Sequence, residues 1–320
     1  MSEDDIFIDP GQDDELRPEA EAVEADEHRR VRGRGRSRRL VSTAALPAMC
    51  TLLNGLAGFA SMHFAAKDAL GDARLLNLQI AAWLILAAMI FDMLDGRLAR
   101  LTRQTSDFGA QLDSLCDAIS FGAAPAMLML RTVTMAMRGP NNPIDVRIEE
   151  LTRGVVAMER VFWCVAAVYV ACAVLRLARF NVETSADESA HMDFRGLPSP
   201  GAAAAVTTMV LLFTHLVPRH EAWQASTWVL VAVTLAVATL AAALLMVSRF
   251  RYPHLVNQYI RSRRPFGYLV KLVLVFLAAI INFYVTVAAA TVAYAAWGPV
   301  AATWRQIRSR FRKPADKTWT

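Results

Sequence analysis

The segment 92–117, which reads DMLDGRLARLTRQTSDFGAQLDSLCD, contains four aspartates at helical spacing in addition to Asp107. They are Asp92, Asp95, Asp113 and Asp117. At about 100° per residue in a helix, the first two point about 60° apart on one face, and the last two point about 40° apart on the next helix. Two helices joined by a short turn can therefore present all four carboxylates to one another.

Carboxylates in or beside a membrane span have a cost that a bound cation removes. Each costs about 2.5–3.5 kcal/mol at the centre of a membrane helix, and like charges repel. Oxygen-only ligands suit Mg²⁺, Mn²⁺ or Ca²⁺, and two such ions can clamp a diphosphate. Gly96 leaves the backbone open to a nucleotide, and Arg100 can pair with phosphate. Helix capping explains one such aspartate but not four, so the pattern predicts a divalent-metal site.

The elements that position these residues are apolar blocks of membrane-spanning length. Hydrophobic residues make up 55% of the 320 residues, and crossing a hydrocarbon core takes about 20 consecutive apolar residues. The blocks lie near 42–66, 78–98, 112–135, 159–178, 200–217, 226–248 and 268–304. The sequence predicts an all-α polytopic transmembrane helix bundle of about seven or eight spans. The number is eight if the last block turns near Asn282.

Basic residues indicate which ends of the spans face the cytoplasm. The run 29–39 reads RRVRGRGRSRR and precedes the first block, which places the N-terminus in the cytoplasm. Alternation of the spans then places the four aspartates on the same side. We therefore expect a multi-pass protein of the cytoplasmic (inner) membrane with its active site facing the cytoplasm.

The chain divides into a membrane domain and two polar ends. Residues 1–39 are first acidic and then basic, without hydrophobic periodicity, so we expect a disordered cytoplasmic tail. Arg-Gly mixtures can bind nucleic acid, but a basic run directly before a span favours a topology signal or an anchor on anionic lipid. No nucleic-acid partner is expected. Residues 40–304 are predicted to form the membrane domain, and 305–320 a basic C-terminal tail.

The spacing D-x2-D-G-x2-A-R-x8-G-x3-D-x3-D runs without a gap from Asp92 to Asp117. It resembles the signature of the CDP-alcohol phosphatidyltransferase family. The resemblance implies a helical membrane domain, two divalent cations (Mg²⁺ or Mn²⁺) and a homodimer. It also implies that Asp92, Asp95 and Asp113 are metal ligands, and that Asp117 is the general base and lies near the second metal.

Other stretches are similar to one branch of that family, the membrane-type CDP-diacylglycerol–serine phosphatidyltransferases. They are LPAMCTLLNGLAGF (46–59), FGAQLDSLCDAISFGAAPA (108–126), LRLARFN (175–181), GLPSPGAAA (196–204) and MVSRFRYP (246–253). Ala48 departs from the branch, in which Asn is common at that position. The resemblance implies transfer of a phosphatidyl group from CDP-diacylglycerol to serine in phospholipid biosynthesis. It implies contacts with the CDP-lipid for Gly96, Arg100 and Ser106.

Three polar residues outside the aspartate segment each have two interpretations. Asn54 lies within the first span, where it can contact the CDP group or bond to a neighbouring helix. Arg176 and Arg179 lie one turn apart at the cytoplasmic end of the fourth span, where cations commonly anchor a helix. They can also bind the carboxylate of a serine acceptor, and the resemblance of LRLARFN favours that role.

Three alternative functions stay open from the sequence. The same chemistry can use another acceptor, such as glycerol 3-phosphate, an inositol compound or choline. A cation transporter also needs aspartates, but it would place them near the bilayer midplane, beside broken helices. A structural membrane protein without activity would have no need of the complete motif.

Overall fold

A computed structural model of the chain describes residues 46–67, 69, 72–102, 107–138, 153–186, 196–216, 225–250, 252 and 266–311. Nearly all of this part of the chain is helical, and it contains no strand. In chain order the helices are α1 (46–66), α2 (Asp72–Thr102), α3 (Asp107–Asp117), a π-helical segment (Ala118–Ala123), α4 (Ala124–Arg138), α5 (Arg153–Ala186), α6 (Ser199–Leu216), α7 (Ala225–Val247), α8 (Phe266–Ile281) and α9 (Phe283–Phe311). The predicted all-α fold is confirmed.

Within the described residues, six stretches are long and apolar enough to cross a membrane. They are Asp72–Ala99, Phe108–Met137, Ala157–Val182, Ser199–Leu216, Trp228–Val247 and Phe283–Arg308. The second stretch joins α3, the π-helical segment and α4 into one span. α1 coincides with the first apolar block and α8 with the first half of the last one, and the count of eight is reached only if both also cross. The chain is a membrane protein.

The last apolar block is interrupted at Asn282, where the sequence suggested a turn. From there α9 runs antiparallel to α6. Tyr284 near the start of α9 stacks on His215 near the end of α6, with ring centroids 4.0 Å apart. Further along α9, Thr291 Oγ1 lies 2.7 Å from Thr208 Oγ1. The later residues of α9 therefore approach the first turn of α6.

α1 packs closely against α3 and the π-helical segment. A Cβ at Gly58 would lie 2.6 Å from Cα of Ser120, and one at Gly55 would lie 2.8 Å from Sγ of Cys116. Ser120 Oγ donates a hydrogen bond of 2.8 Å to the carbonyl oxygen of Asn54. Because the residue numbers rise together, the two helices are parallel. Because glycine has no side chain, these two positions allow the helices to approach so closely.

The π-helical segment follows Asp117 directly. Its Phe121 carbonyl accepts a hydrogen bond of 3.1 Å from the hydroxyl of Tyr169 in α5, and both side chains are fully buried. Turns of this kind are rare and are frequently found at functional sites. The wider turn changes the direction of the side chains between α3, which carries Asp113 and Asp117, and α4, which packs in the core.

Candidate active site and metal centre

Asp92, Asp95 and Asp113 converge at one end of the helix bundle. One carboxylate oxygen from each lies within 4.8 Å of the others. Asp95 is buried and the other two are half-buried. α2 supplies the first two near its C-terminal end, and α3 supplies the third about two turns after its first residue. The structure thus brings together three of the four aspartates singled out in the sequence.

The donor set of this cluster fits a hard divalent cation. Asp95 Oδ2 and Asp113 Oδ1 are buried and have no hydrogen-bond partner in the described part of the chain. Buried carboxylates so close together repel one another, and a cation between them removes both the repulsion and the cost of burial. All donors are carboxylate oxygens, which Mg²⁺ and Mn²⁺ prefer. The cluster can therefore hold a metal ion.

Asp117 lies one turn beyond Asp113 and is held by α1. Asn54 Nδ2 donates a hydrogen bond of 2.8 Å to Asp117 Oδ1. Asn54 is 0% exposed and Asp117 is 8% exposed. The other three aspartates are electrostatic neighbours of Asp117. Of the two interpretations of Asn54, the structure shows the bond to a neighbouring helix, and the acceptor of that bond is itself a predicted site residue.

Space for a ligand is present beside Gly96. A Cβ at this position would meet no neighbouring heavy atom within 4 Å, so the backbone of α2 is accessible next to Asp95. Arg100 lies one turn further along the same helix. Its side chain, like the whole of Ser106, is outside the described part of the structure.

Arg176 of α5 reaches the same end of the bundle. Its Nη1 donates a hydrogen bond of 2.8 Å to Oγ of Ser199, the first residue of α6. Its Nε is buried and has no partner among the described residues, and its guanidinium is within electrostatic range of Asp117. Arg179 is exposed. The structure therefore distinguishes two arginines that sequence spacing treats alike.

Three polar residues beside the site were not identified from the sequence. Thr51 lies next to Asp95 and precedes Asn54 by one turn on the same face of α1. Ser114 Oγ and the Asn181 carboxamide are joined by a hydrogen bond of 2.9 Å between α3 and α5. The sequence feature that could have identified Thr51 is its helical spacing from Asn54 within an apolar block. The feature that could have identified Ser114 is its position between Asp113 and Asp117.

Comparison with known proteins supplies the family. The family model for CDP-alcohol phosphatidyltransferase matches residues 44–245. CDP-diacylglycerol–serine O-phosphatidyltransferase of Mycobacterium tuberculosis is 33% identical over 201 residues, which are 62% of this chain and 59% of the relative. The Helicobacter pylori enzyme of that name is 36% identical over 178 residues, 55% of this chain and 61% of the relative. Archaetidylserine synthase of Methanothermobacter thermautotrophicus is 32% identical over 176 residues, 54% and 61% of the two chains.

The chain covers less than two thirds of the length of these relatives. The family match includes the carboxylate cluster, Asn54 and Arg176, whereas α8 and α9 lie beyond it. The matched residues make up more than half of the 320 in the sequence. The chain belongs to the CDP-alcohol phosphatidyltransferase family.

Proposed function

We propose that the chain transfers a phosphatidyl group from CDP-diacylglycerol to L-serine, giving phosphatidylserine and CMP, in phospholipid biosynthesis. The observation that carries this proposal is the cluster in which oxygens of Asp92, Asp95 and Asp113 lie within 4.8 Å of one another. A cluster of this kind can hold the counterions of a diphosphate, and Asp117 beside it can take a proton from an alcohol. Two of the relatives described above are serine O-phosphatidyltransferases, which supports serine as the acceptor.

Asp92, Asp95 and Asp113 would hold one divalent cation, Mg²⁺ or Mn²⁺, and Asp117 would contribute to a second. Such cations neutralise a diphosphate and stabilise charge on the attacking and leaving oxygens. The open backbone at Gly96 gives the nucleotide a place beside the cluster. Arg100 would pair with phosphate, and Ser106 is proposed as a further contact with the CDP-lipid, as the family resemblance implies.

Asp117 is proposed as the general base. Asn54 occupies its Oδ1, which leaves Oδ2 to accept the proton of the serine hydroxyl. The serine oxygen then forms a bond to the lipid-side phosphorus. The bond from that phosphorus to the bridging oxygen breaks, and CMP leaves with that oxygen and its negative charge.

Arg176 is proposed to bind the carboxylate of serine. Its buried Nε lacks a partner among the described residues, and a carboxylate supplies the acceptor that this donor requires. The electrostatic proximity of Arg176 to Asp117 supports a position next to the reacting hydroxyl. Arg179 is exposed and is proposed as an outer cation that attracts the acceptor.

The site is proposed to face the cytoplasm from the inner membrane. Exposed Arg97 and Arg179 lie at the same end of the bundle as the carboxylates, and basic residues favour the cytoplasmic side. In this arrangement residues 1–39 form a cytoplasmic tail before the membrane domain (40–304), and 305–320 a second basic tail. A homodimer is proposed from the family resemblance.

The position of the carboxylates argues for interfacial catalysis and against cation transport. A transported cation needs ligands near the middle of the membrane. Asp92 and Asp95 instead lie in the last two turns of the candidate span Asp72–Ala99, and Asp113 lies near the beginning of Phe108–Met137. This placement suits a reaction between a lipid head group and a water-soluble alcohol.

The test is an acceptor screen with the purified full-length protein. CDP-diacylglycerol is supplied with Mg²⁺ or Mn²⁺ and with serine, glycerol 3-phosphate, inositol, inositol phosphate, choline or no acceptor, and the release of CMP is measured. We expect release that depends on serine, together with phosphatidylserine. A preference for another acceptor would contradict the serine assignment but not the reaction class. The absence of CMP release with every acceptor would contradict the proposed function.

A further inference from the structure

Two side chains from distant parts of the sequence meet at the first turn of α6. Arg176 of α5 donates to Oγ of Ser199 at 2.8 Å. Tyr294 of α9 packs on Gly201, where a Cβ would lie 3.0 Å from Cε1 of the tyrosine ring. Ser199 and Gly201 are both among the first three residues of α6. The two groups are also within electrostatic range of each other.

Hydrogen bonds hold in place the start of α6, which both side chains contact. The N–H of Gly196 donates to the Phe250 carbonyl at 2.8 Å, and the N–H of Leu197 donates to the Leu245 carbonyl at 3.0 Å. Gly196 has φ of 90°, a backbone conformation that residues other than glycine rarely adopt. The start of α6 is thereby fastened to the end of α7.

Tyr294 is likewise held in place by its neighbours. Its ring centroid lies 5.9 Å from that of Tyr252. The Tyr252 hydroxyl donates a hydrogen bond of 2.9 Å to the Ala295 carbonyl. A side chain at Gly298 would collide with the Tyr252 ring, so α9 can approach closely only because this residue is glycine. A tyrosine held so firmly suits recognition, because little side-chain freedom is lost when it binds a ligand.

Arg176 has more hydrogen-bond donors than the described residues accept. A guanidinium carries five N–H groups in one plane, Ser199 accepts one, and Nε has no partner in the described part of the chain. A half-buried guanidinium left in this state is costly unless an acceptor arrives. A carboxylate suits it best, because the planar fork can bind both of its oxygens. The Tyr294 hydroxyl can donate a further hydrogen bond to the same group.

We propose that Tyr294 is a specificity-determining residue, which with Arg176 recognises the carboxylate of the acceptor. The proposal rests on the serine transferase function proposed above and extends it, because Tyr294 lies on α9, outside the family match of 44–245. Arg176 supplies the charge and Tyr294 supplies a directional donor. An amino alcohol without a carboxylate offers no such acceptor to either group, and sites built on such contacts reject the incomplete analogue.

The experiment compares Tyr294→Phe with the wild type, using full-length protein, CDP-diacylglycerol and either serine or ethanolamine. Phenylalanine keeps the ring that packs on Gly201 and removes only the hydroxyl. We expect the KM for serine to rise about tenfold or more, as for the loss of a hydrogen bond to a charged group. The KM for CDP-diacylglycerol and the kcat with serine should change less than about twofold. The kcat/KM for ethanolamine should be unaffected, so the preference for serine over ethanolamine should fall.

Tyr284→Phe is the matched control. It makes the same substitution on the same helix, but at the other end of α6, where Tyr284 stacks on His215. This control should leave both Michaelis constants unchanged. The proposal is overturned if Tyr294→Phe leaves the KM for serine unchanged, or if serine and ethanolamine lose kcat/KM equally, which indicates a structural role. If the wild type releases no CMP with serine, the serine transferase function and this extension of it both fail.

Discussion

The carboxamide of Asn54 donates a hydrogen bond of 2.8 Å to Oδ1 of Asp117 across the contact between α1 and α3. The donor is fully buried, and the backbone on which it lies is fixed by the bond from Ser120 to the Asn54 carbonyl. The direction of the carboxylate proposed as the general base is therefore set by a helix that carries none of the four aspartates.

Replacing Asn54 by leucine should lower turnover more than it lowers stability. A hydrogen bond to a charged group is worth about 1.5–3 kcal/mol, so we expect kcat to fall about ten- to a hundredfold. CMP release at saturating serine and CDP-diacylglycerol measures the effect. Gln79→Leu is the control, since its Nε2 bonds to the Thr214 carbonyl at 3.3 Å at the opposite end of the bundle. Equal losses of activity in both variants would contradict the positioning role of Asn54.

Asp117→Asn should stop the reaction while preserving binding of the nucleotide lipid. The amide cannot accept the proton of the acceptor, and loss of a general base typically costs about 10²- to 10⁴-fold in rate. The carboxylates of Asp92, Asp95 and Asp113 remain close together and can still hold a cation. Turnover and the affinity for CDP-diacylglycerol are measured separately. Substantial serine-dependent CMP release by the variant would exclude Asp117 as the base.

Activity should depend strictly on a divalent cation and should be lost in chelator. Asp92→Ala and Asp113→Ala each remove one ligand of the cluster, so both should raise the Mg²⁺ or Mn²⁺ concentration that gives half-maximal activity. They should also reduce the rise in unfolding temperature that the cation causes. Asp72→Ala, in the first turn of α2 at the opposite end, is the control. A metal response unchanged from the wild type in either cluster variant would show that the cluster is not the metal site.

Alanine at two glycines should separate packing from substrate access. At Gly58 the new Cβ would lie 2.6 Å from a backbone atom of Ser120, and overpacking of this kind costs about 1–3 kcal/mol. Gly58→Ala should therefore lower the unfolding temperature. At Gly96 the Cβ meets nothing within 4 Å, so Gly96→Ala should keep stability and instead raise the KM for CDP-diacylglycerol. A stable Gly58→Ala protein would contradict the close approach of α1.

The two arginines of α5 should differ in their effect on the acceptor. Arg176→Ala removes a guanidinium that bonds to Ser199, and we expect the KM for serine to rise about ten- to a hundredfold. Arg179 is exposed, so Arg179→Ala should change this constant less than about threefold, and the change should diminish at high salt. The two KM values are compared at low and high ionic strength. A larger effect of Arg179→Ala would reverse the proposed roles.

Much of the site could be predicted because helix geometry is local. The spacing of Asp92, Asp95 and Asp113 defines faces on two consecutive helices, and the structure brings these three residues together. The ends of the helices were less predictable. α2 extends to Thr102 and α9 to Phe311, beyond the apolar blocks, because polar residues remain helical once they leave the hydrocarbon core.

Contacts between distant helices could not be predicted from spacing. Arg176 and Arg179 occupy the same end of one helix, and only the packing of α6 against α5 decides which of them reaches Ser199. Tyr294 had no local signal, because its proposed role depends on the antiparallel course of α9 along α6. The π-helical segment Ala118–Ala123 also has no sequence signature, since its register change depends on packing around the buried Tyr169.

The location of the carboxylates at one end of the bundle has a consequence for the membrane itself. A reaction there receives its lipid from one leaflet and returns its product to the same leaflet. The head group of phosphatidylserine, the proposed product, carries charges that cross the hydrocarbon core only at a high energetic cost. The two halves of the bilayer would therefore differ in composition, with newly made anionic lipid confined to the leaflet of origin. Equalising the lipid composition of the two leaflets would require a separate protein that carries lipid head groups across the membrane.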